Sequence, residues 1–162
     1  MRALIQRVSR ACVTIVDDTP PQDPDPTRSI GRGFAILLGA GAGDTRADAD
    51  KLWSKISKLR IFDDGNGKTN LSLADVGGEV MVVSQFTLYA NCKKGNRPSF
   101  TQSCPPDEAR ELYRYFVELA RRDFPIVATG EFGAHMEIEL VNDGPFTIWL
   151  DTRELWRRRL PN

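Results

Sequence analysis

The chain has 162 residues, 41% hydrophobic and 27% charged, which is the balance of one ordinary globular domain rather than of a disordered chain. Its 22 basic side chains equal its 22 acidic ones, which argues against a protein that coats nucleic acid non-specifically. No apolar run reaches the roughly 20 residues needed to span a bilayer, so we expect a cytoplasmic protein with no membrane partner.

The N-terminal half predicts strands around one helix. Residues 17–29 contain four prolines and cannot pair regularly, so we expect an exposed loop there. Thr45 or Asp44 is a suitable N-cap for the helix, and the run at 34–38 is apolar throughout, as in a buried strand. The expected elements are strands at 2–9, 12–16 and 34–38 and a helix at 45–60.

The C-terminal half continues the alternation. A turn is expected at 63–68, and a second helix starts at a Pro-Pro pair. The other expected elements are strands at 79–84, 135–141 and 146–150, a helix at 105–123 and an arginine-rich tail at 153–162. This order predicts an α/β fold, a single domain over 1–162 with mixed β-sheets and two main helices packed on one face.

Two features suggest known kinds of functional site, but the residues present argue against both. The glycine-rich run at 39–43 lies between a strand and a helix, as in dinucleotide-binding folds. However, Asp44 stands where that fingerprint needs a small residue, and it would repel a pyrophosphate. His135 is the single histidine, and the three cysteines are scattered and predict reduced thiols. We therefore expect no metal and no cofactor.

Two polar segments stand out. Ser-Gln-Phe-Thr-Leu-Tyr at 84–89 follows a buried strand with side chains that a core would not accommodate. A strand end that satisfies its own backbone would explain it equally well. Asn-Asp-Gly-Pro at 142–145 has the composition of a tight hairpin corner, and its Gly-Pro bond could be cis.

Taken together, Ser-Gln-x-Thr-Leu and Asn-x-Gly-Pro-x-Thr resemble the D-aminoacyl-tRNA deacylase family. Ser84 and Asn142 match the branch that checks chirality rather than the branch that removes L-alanine from tRNA. The chain departs from the family at Phe146, where valine is commoner, in a longer loop at 17–29 and in a longer tail. Further runs that resemble the family lie at 1–8, 58–62, 93–100 and 129–136.

The resemblance implies a barrel-like, three-layer α/β/β arrangement and a homodimer with its active site at the subunit interface. The substrate would be a tRNA that carries a D-amino acid, and also an alanine tRNA to which glycine has been wrongly attached. Hydrolysis of the ester would need no side-chain nucleophile, because the terminal 2′-hydroxyl of the RNA assists. No DNA partner is expected.

The resemblance also assigns roles to residues. Backbone N–H groups of Phe86 and Thr87 would stabilise the oxyanion, while Ser84 and Gln85 would brace that loop and the ribose. Thr87 as a covalent nucleophile is the rival mechanism, for which no base is evident.

Substrate recognition would involve four further residues. Phe132 and Met136 would pack on the terminal adenine. Gly144 and Pro145, joined by a cis bond, would enter the partner subunit's pocket and exclude an L side chain by steric clash.

Two other functions remain open. A serine or threonine esterase acting on small molecules would use Ser84 or Thr87. A non-enzymatic RNA-binding module would use Lys93, Lys94 and Arg97 together with the arginine-rich tail.

Overall fold

The computed structural model describes residues 1–22 and 27–155. Within them, the strands are β1 Arg2–Ile15, β2 Ser29–Ile30, β3 Gly33–Gly39, β4 Arg60–Asp63, β5 Thr69–Ser72, β6 Glu79–Ser84, β7 Val127–Thr129 and β8 Met136–Asp151. The α-helices are α1 Arg46–Ile56, α2 Pro106–Asp123 and the short α3 Thr152–Leu155, and a 3₁₀ turn covers Phe86–Tyr89. None of these described helices has the length and apolar character needed to cross a membrane.

A six-stranded mixed sheet organises the fold. β1 pairs antiparallel with β3 on one side and with β8 on the other, whereas β3, β6 and β7 run parallel through crossovers that carry α1 and α2. Thr129 N–H donates to Thr27 O at 2.9 Å, which brings β7 to the segment that leads into β2. The sheet therefore curls into a nearly closed barrel, and the predicted mixed α/β architecture is confirmed.

Each face of the sheet covers its own core. Between sheet and helices lie buried residues such as Phe34, Leu52 and Phe116. On the opposite face, Val8 and Met81 belong to a second cluster. Because β6 contacts both cores, its central residues are buried on both faces, which explains the uninterrupted apolar run in the sequence.

The expectation of two strands at 2–9 and 12–16 is wrong, because β1 is continuous. Arg7 and Val8 are both buried, so the alternation of inward residues changes phase there. The register with β8 shifts at the same place, between Gln6 and Val8 and again between Val8 and Arg10. A bulge thus absorbs the irregularity without ending the strand.

The tight corner expected at 142–145 is also wrong. Gln6 pairs with Thr147 and Val8 pairs with Asn142, so β8 stays on β1 before and after this segment. The intervening residues 143–146 bulge out of the ladder instead of reversing the chain. The Gly144–Pro145 bond is cis, as the resemblance implied.

Smaller differences concern element ends and short strands. α1 ends at Ile56, before the predicted 60, because Arg60 already belongs to β4. Thr45 is the N-cap as predicted, with its N–H bonded to Asp48 Oδ2 at 2.9 Å. The short strands β2, β4, β5 and β7 were not predicted. The arginine-rich tail lies largely outside the described residues, which end at Leu155.

Candidate active site

A cavity of about 730 Å³ opens where β6 ends. Ser84, Gln85 and Phe86 form one wall, and Phe132 and Met136 form another. Five of the predicted site residues are therefore brought together by the fold. The remaining three lie elsewhere: Thr87 belongs to the same turn but not to the cavity wall, and Gly144 and Pro145 do not line the cavity of their own chain.

The bend after β6 leaves two backbone donors unused. Gln85 N–H donates to Leu38 O at 2.7 Å and continues the sheet, and Leu88 N–H turns back to Gln85 O at 3.3 Å. Between these bonds, the N–H groups of Phe86 and Thr87 have no acceptor among residues 1–22 and 27–155. First-turn amides lack a partner within their own helix, so both are available to an external oxygen.

Contacts distant in sequence fix this bend. Arg2 Nη1 donates to Leu88 O at 2.9 Å, and its guanidinium lies 4.3 Å from the centre of the Tyr89 ring. Asp151 accepts from Arg2 Nε at 2.8 Å. Tyr89 in turn donates its hydroxyl to Asp44 at 3.1 Å. Sequence reasoning missed these supports, because nothing local marks them.

The glycine-rich run acquires a physical role here. A Cβ on Gly41 would lie 2.5 Å from the ring of Tyr89, and one on Gly39 would lie 2.9 Å from Gln85 O. Only glycine permits the bend to pack so closely against this run. The run thus serves the close packing of the bend.

Among the described residues, no hydroxyl of the cavity wall is hydrogen-bonded to a carboxylate or imidazole, and the one thiol there, Cys104, donates to Glu108 Oε2 at 3.7 Å. Thr87 Oγ1 accepts a hydrogen bond from Gln85 Nε2, and no described carboxylate or imidazole is bonded to it. Burial, and then Glu108, raises the pKa of Cys104, so this thiol stays protonated at neutral pH. Burial likewise raises the pKa of Tyr113, whose hydroxyl donates to Val82 O at 2.9 Å.

His135 also lines the cavity. The imidazole of His135 is exposed on the cavity rim, and its backbone N–H donates to Asp17 Oδ2 at 2.7 Å. Among the described residues, no three His, Cys, Asp or Glu side chains converge as metal ligands would.

The second wall is apolar and closely packed. The Phe132 ring lies 6.0 Å from that of Tyr113, and the Arg110 guanidinium lies 5.1 Å from its centre. A Cβ on Gly130 would meet Met136 Sδ at 2.5 Å, so a side chain there would displace Met136 from its present position in the wall. The wall can therefore receive a flat aromatic group beside a cation.

The Gly144–Pro145 segment is exposed but firmly held by Arg7. This buried arginine donates from Nε to Asp143 O at 2.9 Å and from Nη1 to Ile61 O at 2.7 Å. Phe146 N–H donates to Asn142 Oδ1 at 2.9 Å. These bonds fix a glycine–proline tip on the outside of the chain.

The family model described as D-Tyr-tRNA(Tyr) deacylase matches residues 4–151. A D-aminoacyl-tRNA deacylase of Thermomicrobium roseum is 54% identical over 96% of this chain and 96% of its own length. One of Thermotoga petrophila is 50% identical over 96% of this chain and 100% of its own.

A solved structure is similar over the same extent. It is named c-Myc DNA Unwinding Element Binding Protein, is 38% identical and has a TM-score of 0.82. The match covers 93% of this chain and 98% of that one. The similarity in sequence and in fold thus extends nearly from end to end.

Proposed function

The chain belongs to the D-Tyr-tRNA(Tyr) deacylase family, and on that basis we propose that it hydrolyses the ester between a D-amino acid and tRNA. Water adds to the ester carbonyl, the bond to the ribose oxygen breaks, and that oxygen takes up the proton. The products are a free D-amino acid and a tRNA. An aminoacyl ester is already activated, so positioning and charge stabilisation are sufficient catalysis. The cytoplasm, where aminoacyl-tRNA is used, is the expected location.

The observation that carries this mechanism is the pair of unused N–H groups at Phe86 and Thr87. They point to main-chain stabilisation of the oxyanion that forms as water adds. Ser84 and Gln85 brace the turn and the ribose. The hydrogen bond from Gln85 to the Thr87 hydroxyl, to which no described base is bonded, favours this mechanism over a threonine nucleophile.

The terminal adenine of the tRNA would lie against Phe132 and Met136. Both residues are partly exposed in the cavity wall, as a stacking surface must be. The 2′-hydroxyl of the terminal ribose would then lie near the ester and assist the attack. Water completes the reaction, so no covalent intermediate on the protein is required.

A second copy of the chain would complete the site. Gly144 and Pro145 are exposed and lie outside their own cavity, and Trp149 on the same strand is 43% exposed. Among the described strands, β8 pairs only with β1. Its outer edge is therefore open to pairing with another chain. We place the glycine–proline tip of one protomer in its partner's cavity, where its carbonyls hold the substrate's amino group and a clash excludes L side chains.

Glycine has no side chain, so the same exclusion does not reject it. Alanine tRNA that wrongly carries glycine is therefore a second substrate. The test is deacylation of D-tyrosyl-tRNA, L-tyrosyl-tRNA and glycyl-tRNA by the purified protein. The expected result is rapid loss of the D and glycyl esters with the L ester intact. The proposal would be contradicted if this protein left D-tyrosyl-tRNA intact under conditions in which the T. petrophila relative hydrolyses it.

One observation favours a second function. A relative of known structure is named for a DNA-binding activity. Tight binding of duplex DNA by this chain at physiological salt would support that function. An esterase acting on small molecules would instead be labelled covalently at Ser84 or Thr87 by an acylating probe.

A further inference from the structure

The stretch of chain around the cavity has a local charge that the whole chain lacks. No Asp or Glu occurs between Glu79 and Asp107, whereas Lys93, Lys94 and Arg97 all lie in this interval. The full sequence has a net charge of zero. The three cations are therefore concentrated in one segment that contains no acidic residue.

These cations lie on a short hairpin, Asn91–Ser99. Asn91 and Ser99 close it with two backbone hydrogen bonds, of 2.8 and 3.0 Å, and Lys93 N–H donates to Asn91 Oδ1 at 3.0 Å. Gly95 has φ of 64°, which permits the reversal at the tip. The backbone of the hairpin is thus ordered by its own bonds, and it presents its side chains outward.

The three cationic side chains are free to meet an external anion. Residues 92–99 are all exposed. Within the part of the chain that the structure describes, none of Lys93, Lys94 and Arg97 forms an ion pair with a carboxylate. On α1, by contrast, the basic side chains alternate with Asp48 and Asp50. The hairpin is the more attractive surface for a polyanion.

The hairpin is also anchored in the cavity. Immediately after it, Phe100 and Thr101 line the cavity, and the Phe100 ring lies 5.0 Å from that of Phe86. Immediately before it, Ala90 ends the 3₁₀ turn that carries the two unused N–H groups. Both ends of the hairpin thus join segments that line the cavity, so its cations lie close to any polynucleotide whose 3′ end enters there.

We infer that the hairpin Asn91–Ser99 binds the backbone phosphates of the single-stranded 3′ end of tRNA, which rests on the proposed function. Each phosphate contacted releases condensed counterions, so binding gains affinity at low salt and loses it as salt rises. Contacts of this kind carry no base specificity. The hairpin therefore recognises the RNA backbone, while the cavity recognises the terminal nucleotide and its amino acid.

The test compares two triple variants. In the first, Lys93, Lys94 and Arg97 are all replaced by Ser. In the matched control, Lys55, Lys58 and Lys68 are replaced by Ser, which removes the same charge from surfaces that do not line the cavity. Each protein is assayed on D-tyrosyl-tRNA and on D-tyrosyl-adenosine, which carries the same ester without phosphates. Thermal unfolding verifies that each variant is folded.

For the hairpin variant, kcat/KM on the tRNA should fall about tenfold because KM rises. The slope of log kcat/KM against log salt concentration should be shallower by about 2, because each lost phosphate contact on a single strand changes that slope by roughly 0.7. Its activity on D-tyrosyl-adenosine should be unchanged, and the control should match the wild type on both substrates. Unchanged tRNA kinetics would overturn the inference. An equal loss on the adenosine ester would also overturn it, since the hairpin would then act through the cavity wall.

A binding measurement separates this inference from the proposed function. Uncharged tRNA and duplex DNA of equal length are titrated against wild type and hairpin variant at the same salt. Weaker tRNA binding by the variant is expected even if the wild type hydrolyses neither ester, in which case only the proposed function fails. The assignment to RNA would be overturned if the wild type bound duplex DNA as tightly as tRNA and the hairpin substitutions weakened both interactions equally.

Discussion

The bend after β6 and the bulge in β8 are both polar segments that leave a strand, but the fold treats them differently. The bend is held by its own chain: Phe86 and Thr87 are exposed, but Tyr89 is buried, and Arg2 and Gly41 fix its position. The bulge is exposed and depends mainly on Arg7 from behind. One segment is therefore complete within a single chain, whereas the other presents a fixed shape outward.

The largest effect should come from removing the support of the bulge. Arg7→Ala leaves the carbonyls of Ile61 and Asp143 without their donor, so the unfolding free energy should fall by about 3 kcal/mol. Displacement of the tip should lower D-tyrosyl-tRNA deacylation about 100-fold. Deacylation and urea unfolding measure the two effects.

Arg10→Ala is the matched control, because Arg10 lies on the same strand and is exposed. It should change the unfolding free energy by less than about 0.5 kcal/mol. Full activity and stability of Arg7→Ala would show that the bulge does not depend on this arginine.

A smaller effect is expected from crowding the bend. In Gly41→Ala the new methyl group would lie 2.5 Å from the Tyr89 ring, so the turn must shift. We expect about 2 kcal/mol less stability and a kcat lower by about tenfold, or roughly 1.4 kcal/mol of barrier. Gly65→Ala, which meets no atom within 4 Å, is the control. A kcat equal to that of the wild type would show that the bend's position does not limit catalysis.

The support beneath the bend should also depend on pH. Burial opposes ionisation of Asp151, but hydrogen bonds from Arg2 and from Arg153 N–H outweigh it and lower its pKa below 3.8. Because the pKa of Asp151 is lower in the folded than in the unfolded state, its ionised form stabilises the fold at pH values above the unfolded-state pKa. This contribution is lost as the pH falls through the folded-state pKa.

The stability difference between wild type and Asp151→Asn should therefore be full at pH 6 and shrink below about pH 4. Urea unfolding at several pH values measures it. Glu139→Gln, at an exposed site on β8, is the control and should cost less than about 0.5 kcal/mol at pH 6. A difference that grows as the pH falls would refute the stated role of Asp151.

The smallest effect should be that of Thr87→Ala. Only the backbone of Thr87 is assigned a part in the reaction, so kcat should remain within about threefold of the wild type, less than 1 kcal/mol of barrier. Thr101→Ala, a threonine in the cavity wall, is the matched truncation. A loss of 1,000-fold or more in a folded Thr87→Ala protein would instead favour the threonine nucleophile.

The difference between bend and bulge also marks what the sequence could predict. The strand at 79–84 and the helix at 105–123 have apolar patterns that depend on local burial, and both are confirmed. Arg7 looks like an exposed residue, because its acceptors Ile61 O and Asp143 O are remote in sequence. The break predicted between residues 9 and 12 is absent for a similar reason, because Arg10 and Ala11 continue to pair with the remote strand β8.

The bulge was misjudged for a related reason. Asn, Asp, Gly and Pro favour turns through local chemistry, but β1 continues to pair with β8 on both sides of Gly144 and Pro145. The convergence of Phe132 and Met136 on the end of β6 likewise depends on topology, and it was expected from resemblance rather than from local pattern.

The most direct test of the central claim is complementation between subunits. Gly144→Ala should displace the tip, since Gly144 has φ of 133° and its Cβ would crowd Arg7, while Phe86→Pro removes one N–H of the bend. Each variant alone should be nearly inactive on D-tyrosyl-tRNA. When the two are unfolded together and refolded, about a quarter of the sites should combine an intact bend with an intact tip from the other protomer, and activity should return to that fraction. If the mixture stays as inactive as its components, the tip does not act in the partner's cavity and the account is contradicted.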